Sequence, residues 1–145
     1  MIKKLDLFSS GTSVNKTNVR VVPREVKDTI LSVLNENNSD MVAIYGSYGT
    51  SRFHEESDID IAWLPKHKVD LYKCAELSGE ISDILGIEVD LKTLGDIYPV
   101  SIEKEMLEGT ILYSNENYNV FLMNYDRLNE AMLYINHGGD LYYGI

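Results

Sequence analysis

Apolar residues recur along this chain in two rhythms, one helical and one alternating, and their order lays out the elements. Behind Pro23, the positions Val26, Ile30, Val33 and Leu34 follow helical spacing and predict an amphipathic helix over 24–36, ended by Asn35, Asn37 and Asn38. Met41–Tyr45 is an unbroken apolar run that stops at Gly46-Ser47, the pattern of a buried strand entering a tight turn. Residues 48–56 are polar and irregular, with room for one helical turn. Residues 58–64 alternate, with Ile59, Ile61 and Trp63 on one face and Asp58, Asp60 and Ala62 on the other, so a half-buried strand is predicted, closed by Pro65.

Leu71, Ala75, Ser78, Ile81 and Leu85 predict a helix over 69–85, which Gly86 ends. Ile87–Leu91 alternates again, with Asp90 opposite the apolar side. A helix over 100–108 leads through Gly109 to a short strand at 110–113. Tyr118, Phe121, Leu122, Tyr125, Leu128, Met132 and Ile135 mark a long C-terminal helix, and Gly138-Gly139 ends it before a Tyr-rich tail containing Tyr142 and Tyr143. Residues 1–22 read as an N-terminal extension, with a loop signal at Ser9–Ser13 and a short strand near 19–22; a single domain is expected over 23–145. The order α-β-β-α-β-α-β-α is that of an α+β fold with a mixed sheet.

Composition narrows the class without changing this picture. At 145 residues and 44% apolar content the chain can build one core. It has no run approaching the roughly 18 apolar residues of a membrane span, and no apolar run follows Lys3-Lys4 as in a signal peptide. A single cysteine, Cys74, excludes an internal disulfide framework and fits a cytoplasmic protein. Thirteen basic against 23 acidic residues give a formal net charge of −10. That balance works against direct nucleic-acid binding, which draws on phosphate neutralisation by Lys and Arg. A small anion held through a metal, or a cationic or protein partner, remains compatible.

The candidate chemistry lies between residues 45 and 60. Asp58 and Asp60 on one strand face stand roughly 6.5–7 Å apart. Carboxylates that close repel by about 2–3 kcal/mol at an effective dielectric near 20, so a proton or a cation is needed between them. Oxygen donors without His or Cys suit hard cations such as Mg²⁺ or Mn²⁺. If the third strand is a neighbour, Asp90 joins them, and three carboxylates can hold a pair of divalent ions for displacement at phosphorus. Gly46 lets the backbone turn sharply beside a ligand, and Ser47 adds a hydroxyl. If residues 47–51 open a helical turn, their N–H groups form an anion site. Each piece alone is weak, because an Asp-x-Asp on an exposed strand is ordinary solvated charge and a Gly-Ser turn is commonplace. The combination with its spacing is specific.

Gly46-Ser47, ten residues, then Asp58-x-Asp60 resembles the signature of the polymerase-beta-like nucleotidyltransferase superfamily, and the chain's length resembles the minimal nucleotidyltransferases (MNT), the antitoxins of HEPN/MNT pairs. The resemblance runs over roughly 24–135 and includes the Ile-x-x-x-Met-x-x-Gly-x-x-Leu-Tyr segment at 102–113. It implies the polymerase-beta-like fold, a small mixed sheet with flanking helices and a long C-terminal helix. It implies that Gly46 and Ser47 hold the nucleotide's phosphates, that Asp58 and Asp60 bind two Mg²⁺ ions (or Mn²⁺), and that Asp90 binds the catalytic ion and helps deprotonate the acceptor. The implied reaction is transfer of NMP from ATP or another NTP with release of pyrophosphate. Many relatives carry an Arg-Gly pair in the turn after Gly-Ser. Here Gly49-Thr50-Ser51 stands there and Arg52 follows, either reaching the triphosphate or lying on the surface.

The remaining candidates have plainer readings. His54, His67 and His137 lack ligand spacing, so a zinc site is not expected, and His54 reads as a solvated loop residue. Cys74 and Trp63 read as core. Among acceptors, the resemblance implies a tyrosine of a HEPN toxin, an RNase silenced by AMP transfer; a short chain leaves little material for an acceptor pocket of its own. A small-molecule acceptor such as an aminoglycoside would suit the negative charge, but such enzymes carry an added helical domain. A non-catalytic docking antitoxin would not need three metal-ready carboxylates.

Overall fold

The computed structural model describes residues 19–96 and 98–125. Helix α1 (Arg24–Val33) is followed by β1 (Ser39–Tyr45), β2 (Ile59–Pro65), α2 (Leu71–Leu85), β3 (Val89–Thr93), α3 (Val100–Leu107) and β4 (Thr110–Ser114). Residues 116–125 are helical and form α4. The remainder of the expected C-terminal helix, the Gly138-Gly139 stop, the tyrosine tail, His137 and residues 1–18 lie outside the described residues. The chain divides into two compact units, Met1–Ser114 and Asn115–Ile145.

In the first unit the four strands form one mixed sheet in the order β3-β2-β1-β4. β1 pairs antiparallel with β2 and β4, and β2 pairs parallel with β3 through the α2 crossover. The α+β expectation with a mixed sheet therefore holds. Val42 and Ile44 of β1, Ile59, Ile61 and Trp63 of β2 and Leu91 of β3 share one core with Val26 and Ile30 from α1, Leu34 just after it, and Cys74 and Ile81 from α2. The alternation in β2 does what its period requires: Ile59, Ile61 and Trp63 are buried, and Asp60 goes to the other face. Trp63 and Cys74 are core residues, and the Trp63 indole N–H donates to the buried Ser39 hydroxyl at 2.8 Å.

Element ends follow local chemistry. Asp70 caps α2, its carboxylate accepting from the Lys73 N–H at 2.8 Å, and Gly86 closes the helix in the left-handed conformation (φ 73°). Ser78 and Ser82 on α2 donate to the carbonyls of Val89 (2.6 Å) and Ile87 (2.8 Å), tying the crossover helix to the strand that carries Asp90. That strand starts two residues later than its alternation predicts, because β2 has no residue before Ile59 in the ladder to pair with Ile87. Asp58, expected on the strand face beside Asp60, is not in β2; it precedes the strand and is exposed.

Residues 48–56 form turns without a helix, but they are anchored. Tyr48 is buried in the core and meets Phe53 edge-on, with ring centroids 5.0 Å apart. Residues 19–22, expected as the end of an extension with a short strand, form no strand. They are nevertheless fastened to the domain: Val21 is buried and its N–H donates to the Gly49 carbonyl at 2.9 Å.

In the second unit, Asn115 caps α4 through its side-chain oxygen, which accepts from the N–H groups of Asn117 (3.0 Å) and Tyr118 (3.3 Å). Tyr118, Phe121 and Tyr125 stack along one side of the helix with centroid spacings of 6.3 and 6.2 Å, the neighbour relation that three- and four-residue steps produce. Among the described residues, no helix is long and apolar enough to cross a membrane.

Candidate active site

Register builds the site. In the β1–β2 ladder Tyr45 faces Asp60, and in the β2–β3 ladder Asp60 faces Asp90. Tyr45, Asp60 and Asp90 therefore form a row across three strands. Parallel pairing of β2 with β3 thus brings together the two carboxylates that lie thirty residues apart in sequence.

At the end of β1 the chain turns at Gly46 with φ 75°. A Cβ on Gly46 would stand 2.3 Å from the Asp60 Oδ2, so the carboxylate lies directly over the glycine. Glycine is required here twice, for its backbone angle and for the space. The following residues do not open the helical turn that would have made 47–51 a helix-type anion site. Ser47 and Thr50 close a β-turn, the Thr50 N–H donating to the Ser47 carbonyl at 3.0 Å, and Gly49 at the third position has φ 80°. A positive angle there is the mark of a type II turn. The N–H groups of this segment are consequently oriented by a turn, not by a helix dipole.

Electrostatics single out Asp60. Burial raises its pKa, to about 6, with Asp90, Asp58 and Glu105 adding repulsion and Lys92 opposing them. Tyr45 is buried as well, and its hydroxyl is pushed well above the usual range by burial and then by Asp60 and Asp90. Two of these neighbours are not evident from the motif. Lys92, two residues after Asp90 on the same strand face, forms an ion pair with the Asp90 Oδ2. Its signal is readable in principle, since i and i+2 share a face. Glu105 arrives on α3, which packs against β1; nothing local in sequence points to that.

The donor set fits a hard divalent cation. Asp58, Asp60 and Asp90 all offer carboxylate oxygens, and burial first, then the charge of Asp90, raises the proton affinity of Asp60, so a cation beside it would offset the cost of its ionised form. Among the described residues no three of His, Cys, Asp or Glu are gathered as a finished metal cluster. Lys92 holds Asp90, and Asp58 is exposed. Arg52 is exposed in the loop, its N–H donating to the Thr50 hydroxyl at 3.2 Å. His54 is likewise exposed, as expected of a solvated loop residue. A cavity of about 240 Å³ lined by Leu64, Pro65, Val69 and Leu94 lies at the far ends of β2 and β3 and shares no residue with the Gly46–Asp60–Asp90 group.

Arg20 is the residue that periodicity misses. Its guanidinium donates to the carbonyls of Gly46 (2.9 Å) and Tyr48 (2.6 Å) and, through Nε, to the Thr110 hydroxyl (3.0 Å).

A strained carboxylate has a measurable cost. Its pKa is about 6 in the folded protein against an ordinary 3.8, so between those values the folded state holds a proton that the unfolded chain has lost. Stability therefore falls as pH rises from about 4 to about 6 and stays lowered above that, the reverse of a salt-bridged aspartate. After discounting for solvent screening, the penalty is about 1 kcal/mol. Asp60→Asn is expected to raise the metal-free melting temperature near neutral pH by about 2–4 °C and to make no difference near pH 4. A lower melting temperature at neutral pH would show that Asp60 is not under repulsion.

The model of the polymerase beta nucleotidyltransferase family matches residues 28–118, which include the whole sheet and the Gly46–Asp60–Asp90 group. The chain belongs to this family. Relatives from Methanocaldococcus jannaschii bear the name protein adenylyltransferase. One is 40% identical over 70 residues, which cover 48% of this chain and 71% of the relative. Another is 33% identical over 85 residues, covering 59% and 91%. The polymerase beta nucleotidyltransferase domain makes this protein an enzyme of nucleotidyl transfer. Among solved structures, a chain of a toxin–antitoxin complex with AMP-PNP superposes with a TM-score of 0.59 at 24% identity, over 77% of this chain and 95% of that one. A chain from the complex of a tri-AMPylated Shewanella oneidensis HEPN toxin with its MNT antitoxin gives 0.57 at 22% identity, over 79% and 95%. At these identities the likeness is one of fold.

Proposed function

We propose that this nucleotidyltransferase acts in the cytoplasm on ATP and transfers AMP to a tyrosine hydroxyl of a HEPN-domain toxin, silencing it. The observation that carries the catalytic part is the row of Asp60 and Asp90 in register beside Gly46, with the ionised form of Asp60 disfavoured by burial and by Asp90. The protein acceptor is supported by the relatives named protein adenylyltransferases, and the toxin by the two complexes that share the fold.

In this reading Gly46 and Ser47 receive the phosphates, and Arg52 sits on the same loop to meet the outer charge. Asp58, Asp60 and Asp90 would hold Mg²⁺, which would supply neutralisation of charge on the phosphates and the attacking oxygen. The tyrosine oxygen bonds to the α-phosphorus as the bond from that phosphorus to the bridging oxygen breaks, and pyrophosphate departs with the electron pair. The hydroxyl proton passes to the Asp90 carboxylate. Lys92 is ion-paired with Asp90 and would release that carboxylate when the cation binds. Positioning and charge neutralisation supply most of the rate in such transfers.

The test is a transfer assay with purified protein, Mg²⁺, α-labelled ATP and a co-expressed HEPN-domain protein, resolved on a gel. A labelled HEPN band is expected, which Tyr→Phe substitution in the acceptor removes. Pyrophosphate release without any labelled protein would replace the protein acceptor by a small molecule. No turnover of any nucleotide would reduce the protein to a docking partner.

A further inference from the structure

The segment before α1 grips the turn that follows β1. One nitrogen of the Arg20 guanidinium donates to both the Gly46 and Tyr48 carbonyls, and the next residue, Val21, donates its N–H to the Gly49 carbonyl. Three carbonyls of a four-residue turn are thus drawn toward residues 20 and 21. The fit is close: a Cβ on Gly49 would stand 2.5 Å from the Val21 carbonyl oxygen and 2.7 Å from the Arg20 Cγ. The other end of the guanidinium is fixed as well, because Nε donates to the Thr110 hydroxyl at the first residue of β4. Thr110 pairs in register with Ile44, two residues before Gly46. Gly109 lets β4 come this close, since a Cβ there would stand 2.7 Å from the Ile44 carbonyl oxygen.

Peptide planarity turns this grip into a directional effect. In a trans peptide the C=O and the following N–H point in opposite directions. Drawing the carbonyls of Gly46, Tyr48 and Gly49 to one side therefore sends the N–H groups of Ser47, Gly49 and Thr50 to the other. The Thr50 N–H closes the turn on Ser47. Those of Ser47 and Gly49 are aimed away from Arg20, and N–H groups collected on one side of a turn make an anion-receiving concavity.

We propose that Arg20 is a positioning residue of the nucleotide site: braced on Thr110, it sets the peptide planes of the Gly46–Gly49 turn so that the turn receives the nucleotide's phosphates. This rests on the nucleotidyltransferase reading given above. In this role Arg20 acts through the turn, its guanidinium being engaged by Gly46, Tyr48 and Thr110. A lysine ammonium keeps donors for the carbonyls, but it has no second nitrogen to keep on Thr110 and no planar fork.

The experiment measures binding of Mg·AMP-PNP by calorimetry, KM for ATP, kcat and melting temperature, for the wild type, Arg20→Met, Arg20→Lys and Thr110→Val. Arg20→Met is expected to weaken AMP-PNP binding and raise KM by about tenfold or more, a loss in keeping with hydrogen bonds to a charged group, with a smaller change in kcat. Arg20→Lys recovers part of that loss, and Thr110→Val shows a fewfold loss in the same direction. If Arg20→Met does not fold, Arg20→Lys and Thr110→Val decide by the same readings. Variants that melt earlier yet bind AMP-PNP as the wild type does below their melting temperature would overturn the proposal and leave Arg20 a purely structural brace. A wild type that binds no AMP-PNP would instead overturn the nucleotide reading, and this one with it.

Discussion

Asp58→Asn combined with Asp60→Asn is expected to lower the rate of AMP transfer by at least about 10³-fold, roughly 4 kcal/mol of transition-state stabilisation. The shape of both side chains is kept, so the loss reports charge. In phosphoryl transfer the protein contributes chiefly by holding groups in line and neutralising developing charge, and in the proposed reading these two aspartates are two of the three carboxylates that would recruit the cation for it. The usual objection to such a variant is that it unfolds. Here the opposite is expected of Asp60, whose ionised form is disfavoured by burial and by Asp90, so the amide relieves strain. Initial rates with α-labelled ATP, taken beside melting curves, separate the two effects. A double variant that keeps its rate within about tenfold of the wild type would remove the carboxylates from the mechanism.

The burial of Asp60 opposite the core face of β2 also bears on what is legible in the sequence. Alternation in 58–64 places Asp60 opposite Ile59, Ile61 and Trp63, because a half-buried strand has only two faces and the core claims one. The Gly-Ser turn is equally visible, since a buried strand that stops at glycine has few other uses for it. The neighbour relation between Asp60 and Asp90 needs only the assumption that β2 and β3 adjoin, which a strand–helix–strand crossover commonly satisfies. What escapes has a common cause. Arg20 and Glu105 reach the site from segments whose position depends on tertiary packing, and neither lies in an apolar period that would flag it. The loop after Gly46 reads as irregular with room for one helical turn, because its polar residues carry no apolar period to fix a conformation. The positive φ at Gly49 and the closure of Thr50 on Ser47 make it a β-turn instead. Lys92 is within reach of the same two-residue rule that finds the aspartates.

Gly46→Ala tests whether the turn and the carboxylate form one device. The backbone angle of 75° is one that a Cβ penalises by roughly 1–2 kcal/mol. The new methyl would also stand 2.3 Å from the Asp60 Oδ2 and 3.2 Å from its Cγ, contacts that cannot persist. Either Asp60 rotates away from the row it shares with Asp90, or the turn shifts and carries Ser47 with it. Both routes misplace a group by a large fraction of an ångström, and displacements of that order cost about 10²-fold in rate. The expected result is therefore a loss of transfer of about 10²-fold or more, with stability lowered by roughly 2 kcal/mol. If the damage runs through Asp60, it is not additive: in an Asp60→Asn background, Gly46→Ala should lower the residual rate by less than about tenfold further. A Gly46→Ala enzyme with wild-type kcat would mean that the Asp60 carboxylate works from a different position than the one it holds over Gly46.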